Sequence, residues 1–370
     1  MEKDKISLRQ LMPILAAGLF SSMVRVLPRM GAESAGRAVY LAPLLSVLPI
    51  FFYVKLICLL LSGSPPRQGL AEIFISRFGK GLGRVIAAAF LIWTLFYASY
   101  IIRNCAERLI STIYPQSGPW GFAIAITLVC ALAAMGKLRT LARAGGVFFG
   151  LILIMLALVL LSALANVKAE NVLPVSTQDA LPLLKGVLLT SDVSGTALCA
   201  LFLRGSVSEE EAGRGKILLK WLGLLMVLVS FTLFVTVGCY GAKMTAREQQ
   251  PFFLISRDVR VFGVLDRIEA AVMTTWVITD FMMLSLLFLV CAEIMRACFV
   301  KDTGKWFVPP VAAAALAGSA ATAKNAFELW RVTEFIVEKA NPAIYYALLP
   351  LLLAVIKIMN KKAKKSKKGY

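Results

Sequence analysis

Histidine is absent from all 370 residues. That removes the commonest general base, proton relay and metal ligand together, and with them the usual equipment of membrane-embedded hydrolases and transferases. Any proton or metal chemistry would rest on carboxylates alone. Charge is scarce as well: Asp, Glu, Lys and Arg make up 16% of the chain, against about 25% in soluble domains. Acidic residues are the minority among them, 21 against 40 Lys and Arg. The seven cysteines include no CxxC pair and all lie within or beside apolar runs, which reads as buried free thiols and not as disulfides or metal ligands. There is no Gly-rich phosphate loop and no nucleophile with a base beside it. These absences argue against an enzyme, and they call for neither cofactor nor metal.

What fills the chain is apolar. Hydrophobic residues make up 59% and mean hydropathy is +0.78, the composition of an integral membrane protein. A bilayer-spanning helix needs about 20 mostly apolar residues, and ten stretches come close or qualify: 8–28, 36–62, 85–110, 118–136, 143–165, 181–203, 217–241, 267–298, 306–323 and 342–359. The ninth, rich in alanine and poor in leucine, is the weakest. Pro65-Pro66, Gly79 to Gly83, Pro115 to Pro119, Lys137 to Arg143, Gly205 to Gly215 and Asn341-Pro342 separate the others. Met1 to Gln10 is polar with no cleavage site after the first apolar run, so that run is expected to remain as a span.

An even count of spans puts both termini on one side, and the chain is expected to form one transmembrane domain over residues 1–370. With the N-terminus cytoplasmic, 24 Lys and Arg fall inside, 15 fall outside and Lys55 lies within the second span; without the C-terminal run the balance is 17 to 15. Lys361, Lys362, Lys364, Lys365, Lys367 and Lys368 therefore set the orientation, with residues 1–7 and 360–370 as cytoplasmic tails. The excess positive charge answers to membrane lipid and topology, and no nucleic acid partner follows from it. The longest external link, 241–266, holds Pro251, Arg257 and Arg260 and predicts a hairpin or short helix on the membrane surface.

Within the sixth stretch stands Thr190-Ser191-Asp192-Val193-Ser194-Gly195-Thr196. An ionisable group at that depth costs about 2.5 kcal/mol or more and faces a cavity or a partner. Ten spans divide into five and five, and in inverted-repeat transporters paired helix breaks mark the binding site. The first span, equivalent to the sixth, carries Gly18, Ser21, Ser22, Arg25 and Pro28. Half-helix N-termini at such breaks would offer free N–H groups to a carboxylate, and Asp192 would answer an amino group; alternatively Asp192 pairs with a neighbouring basic residue such as Arg103. Asp280, followed by Ser285 in the eighth span, reads either as an ion or proton site or as a polar contact within the bundle. Tyr97 and Tyr100 face the bundle or the lipid, Tyr97 being a pocket candidate, and Glu107 with Arg108 reads as a solvated or interfacial pair.

Several local patterns occur in order along the chain: Lys5-Ile6-Ser7 with Gln10, Ala35-Gly36-Arg37, Phe78-Gly79-Lys80-Gly81-Leu82-Gly83, Tyr114-Pro115 and Leu173-Pro174. The most specific is Pro251 with Arg257, then Asp266-Arg267-Ile268-Glu269-Ala270 and Trp276. In these the chain resembles the spore germination permeases, the B subunits of germinant receptors within the amino acid/polyamine/organocation superfamily. The resemblance implies an all-α polytopic membrane protein with the five-plus-five inverted repeat of the leucine transporter type. It also implies A and C subunits as partners, and a small germinant, such as an amino acid, bound between spans one, three, six and eight. Carried over by position, the site would hold Gly18, Ser21 and Ser22, then Tyr97, then Thr190, Ser191, Asp192, Ser194 and Gly195, and Thr275. No lysine lies between Ala144 and Ala165, where some relatives use one for proton coupling. The expected function is therefore nutrient sensing that triggers spore germination, with amino acid transport as the alternative.

Overall fold

The computed structural model describes residues 5–65, 68–208, 215–258, 268–299 and 304–366. Pro66, Arg260, Asp266, Arg267, Lys367 and Lys368, named above as breaker, link, motif and tail residues, lie outside the described residues. Thirteen main helices follow one another: α1 (Leu8–Val26), α2 (Ala42–Leu61), α3 (Leu70–Phe78), α4 (Lys80–Thr112), α5 (Pro119–Met135), α6 (Leu138–Ala163), α7 (Ala180–Ser194), α8 (Gly215–Arg247), α9 (Pro251–Asp258), α10 (Ile268–Phe299), α11 (Val308–Thr322), α12 (Ala326–Phe335) and α13 (Leu349–Ser366). Among the described residues the β contact is a single parallel bridge, Ile6 to Val207.

Seven described stretches are long and apolar enough to cross a membrane, and the first of them, Leu8–Leu61, contains both α1 and α2. Helix also stands at the two shorter apolar stretches, α5 with 17 residues and α11 with 15. At 1.5 Å per residue α11 spans about 22 Å, short of the roughly 30 Å hydrocarbon core. The chain is an integral membrane protein.

Two motif patterns find physical jobs at helix ends. Ser7 accepts from the Gln10 backbone N–H (3.2 Å) while the Gln10 side chain accepts from Ser7 N–H (3.0 Å), a capping box that satisfies two of the free donors at the start of α1. Gly36, at φ +60°, closes the short helix after α1 and turns the chain toward α2, a backbone conformation that glycine reaches without a Cβ clash. The expected short helix in the external link is α9. Its Phe252 and Phe253 pack on Trp276 of α10, with centroids at 5.8 and 6.0 Å, and Arg257 reaches Glu269 at 3.7 Å. Helix α13 runs on into the basic segment as far as Ser366.

The paired-break expectation needs correcting at its first half. α1 is α-helical straight through Gly18, Ser21 and Ser22, and irregularity begins only with a π-helical turn at Leu27–Gly31. Gly18 serves close packing: a Cβ there would lie 2.8 Å from Met283 Sδ on α10. The second half is sharper than expected. α7 stops at Ser194 and the chain continues as a 3-10 helix from Gly195 to Ser206, 12 residues long, where runs beyond about 3–4 residues are uncommon. Hydroxyls looping back explain the change of winding. Thr190 and Ser191 donate to carbonyls four residues back, whereas Ser194 and Thr196 donate to Ser191 O (2.6 Å) and Val193 O (3.0 Å), three residues back. Such bonds compete with the α ladder and bend helices.

Candidate functional site

Polar side chains from α1, α4 and α10 meet in the interior of the bundle. Ser21 Oγ donates to Asp280 Oδ1 at 3.0 Å, and Arg108 Nη2 lies 3.1 Å from Asp280 Oδ2. Both charged partners are at most 5% exposed, and the Arg108 guanidinium also covers the Trp276 ring at 4.9 Å. One residue along α1, Ser22 Oγ lies 3.1 Å from Gly18 O and 3.4 Å from the Tyr97 hydroxyl. Tyr97 stacks at a tilt on Tyr100, whose hydroxyl bonds Thr333 of α12 at 2.9 Å. Tyr97 and Tyr100 are buried and face the bundle.

A second polar group surrounds the end of α7. Tyr346 hydroxyl donates to Ser191 O and lies 3.2 Å from Ser194 Oγ. Asn341 Nδ2 donates to Asp192 O at 3.1 Å, leaving its own Oδ1 without a partner. A Cβ on Gly195 would come within 3.0 Å of the Tyr346 ring and 3.3 Å of Tyr345 Cβ, so this glycine lets the tyrosine pair close over the turn. Tyr345 in turn accepts from Trp93 Nε1 at 3.2 Å and receives Tyr53 on its carbonyl. Tyr97 stands between the two groups, near enough to Thr196 and Tyr345 to act on them electrostatically.

The structure thus brings together Ser21, Ser22, Tyr97 and Asp280, and beside them Ser191, Ser194 and Gly195. Gly18 stands one turn away, against Met283. Thr190 bonds only within its own helix, to Gly186 O at 2.8 Å. Thr275 lies apart, bonded to Ala271 O and lining a cavity of about 20 Å³ with Phe20, Val159, Phe252, Trp276 and Thr279, room for a single water. Ser285 is buried with its Oγ unpartnered. The Asp192 side chain is half-buried.

Three expectations meet corrections. Arg103 does not pair with Asp192: it takes Glu107, four residues on, at 2.6 Å and Ala323 O at 3.0 Å. Glu107 and Arg108 do not pair with each other, because adjacent helical residues do not face one another; Arg108 turns inward to Asp280. Nor does the α7 break leave free N–H groups for a carboxylate, since Gly195 N–H is bonded to both Asp192 O and Ser191 O. Asp280 Oδ1 accepts from Ser21, while Oδ2 faces the Arg108 guanidinium as an ion pair without a hydrogen bond.

Sequence reasoning missed the inward turn of Arg108 to Asp280, and Trp93, Thr333, Asn341, Tyr345 and Tyr346 altogether. Tyr345-Tyr346, two adjacent phenols in an apolar run, was the available signal.

The profile of the spore germination protein family matches residues 5–327. This chain belongs to the spore germination permease family. Among curated relatives, this chain is 22% identical to spore germination protein KB of Bacillus subtilis (strain 168), over 379 aligned residues covering 100% of this chain and 99% of that one. It is 20% identical over 269 residues to spore germination protein YndE of the same organism, covering 72% of each. The motif that best marked the resemblance packs α9 on α10 through Trp276, with Arg257 near Glu269 at the surface.

Proposed function

We propose that this permease-family chain is the nutrient-sensing membrane subunit of a spore germinant receptor. On this reading it binds an amino acid or similar small polar germinant among α1, α4, the α7 break and α10, and passes the change to A and C subunits in the inner membrane of the spore, both termini being cytoplasmic. The site comprises Gly18, Ser21, Ser22, Tyr97, Thr190, Ser191, Asp192, Ser194, Gly195 and Thr275, with Asp280 and Ser285 beside it. The five-plus-five repeat belongs to the same proposal, supported by helix at each of the ten expected stretches.

The observation that carries the reading is the pair of buried polar groups within a largely apolar bundle, one tying Ser21 to Asp280 and Ser22 to Tyr97, the other closing Tyr346 over Ser191, Ser194 and the Gly195 turn. Polar groups at such depth belong to a cavity, a pathway or a partner. Sensing needs only unequal affinity for two conformations, and a 3-10 segment within a span is a common mark of a hinge.

The test is a thermal-shift screen of the full chain in lipid nanodiscs against amino acids, nucleosides and sugars. A ligand at about 100 times its Kd stabilises by about 2.7 kcal/mol, and at least one class is expected to raise the melting temperature. Asp192→Asn and Asp192→Ala are expected to weaken that response about tenfold or more, the loss of one charged contact. If no class raises the melting temperature, the chain is a scaffold and binds nothing itself. If both variants respond as wild type does, Asp192 leaves the site. Accumulation of labelled amino acid in vesicles holding this chain alone would replace sensing with transport.

A further inference from the structure

The geometry points to Arg25 as the receiver of the germinant's carboxylate, which restricts the ligand to small molecules bearing one. This rests on the receptor reading above. Among the described residues α1, α4 and α10 bury or half-bury four guanidinium groups, those of Arg25, Arg103, Arg108 and Arg296, the last paired with Glu293. Arg103 pairs with Glu107 and Arg108 with Asp280, and Arg25 is left over. Its Nε and Nη1 are enclosed and find no acceptor. The face of Tyr100, 5.3 Å from Cζ, accommodates the charge through its quadrupole but accepts no directed bond from these donors. A guanidinium carries five donors in a planar fork matched to a carboxylate, and a buried charge without its partner is strongly destabilising. A side chain in this condition calls for an anion from outside the chain.

The surroundings favour one carboxylate. Arg25 stands one turn beyond Ser21 and Ser22 on α1, beside Tyr100, with Tyr97 and Asp280 near enough to act on it electrostatically. Asp280 is already held by Arg108 and Ser21, so its remaining negative field penalises a dianion such as phosphate more than a single carboxylate. Arg25 as a whole residue is only partly buried, although its Nε and Nη1 are enclosed. The other candidate for this task, a free helix N-terminus at Gly195, is not formed, because that N–H is already bonded within the helix.

The experiment measures melting of the full chain in nanodiscs with alanine, valine and asparagine, with the matching α-carboxamides, and with glucose, inosine and inorganic phosphate. The acids are expected to raise the melting temperature and the carboxamides to leave it unchanged. Arg25→Gln is expected to weaken the response by at least about thirtyfold. Arg25→Lys, which keeps the charge and loses the fork, should weaken it about tenfold. Without ligand, Arg25→Gln should melt at or above the wild-type temperature, since it removes an unpaired buried cation; a structural arginine would instead give a variant that melts lower or fails to fold, and that result overturns the assignment. Carboxamides that act as well as acids also overturn it, as does a response to phosphate alone. A response confined to glucose or inosine sinks the carboxylate inference while the receptor reading stands. No response to any probe sinks both.

Discussion

Replacing Asp280 by alanine is expected to destabilise the bundle by about 3–5 kcal/mol, the cost of stranding a buried charge. The stranded group is Arg108, buried and held by Asp280 and the Trp276 face; Ser21 loses its acceptor as well. Asp280→Asn keeps an acceptor for Ser21 and removes only the charge, so its loss should be intermediate. The double variant Asp280→Leu with Arg108→Met should recover most of the difference, because replacing both members of a buried pair with apolar groups is often neutral or stabilising. Equilibrium unfolding in detergent of Asp280→Leu, Arg108→Met and the double variant forms a cycle. Independent, additive losses would show that Asp280 and Arg108 do not act as a pair.

The second large effect is expected at Gly69, outside the site. A Cβ at this position would lie 2.4 Å from Phe202 O, a backbone atom that no rotamer change can move. Gly69→Ala therefore has to displace either the start of α3 or the end of the 3-10 segment, at about 1–3 kcal/mol for overpacking of this kind. The displacement reaches further, because Glu72 accepts from Gly69 N–H at 3.1 Å and also from Arg296 at 2.6 Å. Gly81→Ala is the matched control: nothing lies within 4 Å of its Cβ position, and alanine in a helix gains about 0.5–1 kcal/mol over glycine. Melting temperatures of the two variants should move in opposite directions, and equal shifts would count against the contact at Phe202.

The ten apolar stretches were legible because crossing a bilayer demands length and apolarity, which are properties of composition along the chain. The break at Gly195 was legible for a local reason: Ser191, Ser194 and Thr196 can reach carbonyls on their own helix. Partners across the bundle were not. Helices that are hydrophobic all round carry no stripe to fix their rotation, so the sequence could not tell whether Arg103 or Arg108 would face an aspartate, or which one. Residues 326–341 were obscured differently. Their charges, Glu328, Arg331, Glu334, Glu338 and Lys339, read as a link, yet Asn325 caps the segment through Glu328 N–H at 2.9 Å and it continues as helix into the tyrosine pair that closes over the Gly195 turn.

The winding of residues 195–206 also sets a length. A 3-10 helix rises about 2.0 Å per residue and an α-helix about 1.5 Å, so twelve residues held in the tighter form extend about 6 Å further than the same chain in the wider one. The near end of this rod is fixed beneath Tyr345 and Tyr346. At the far end Ile6 N–H bonds Ser206 O at 2.9 Å and Ser208 N–H bonds Ile6 O at 3.0 Å, tying it to the residues that lead into α1. Rewinding the segment by even a few residues would shorten it by about an ångström or more, so that a change of hydrogen-bond register at the tyrosine pair would be felt at the residues that lead into α1.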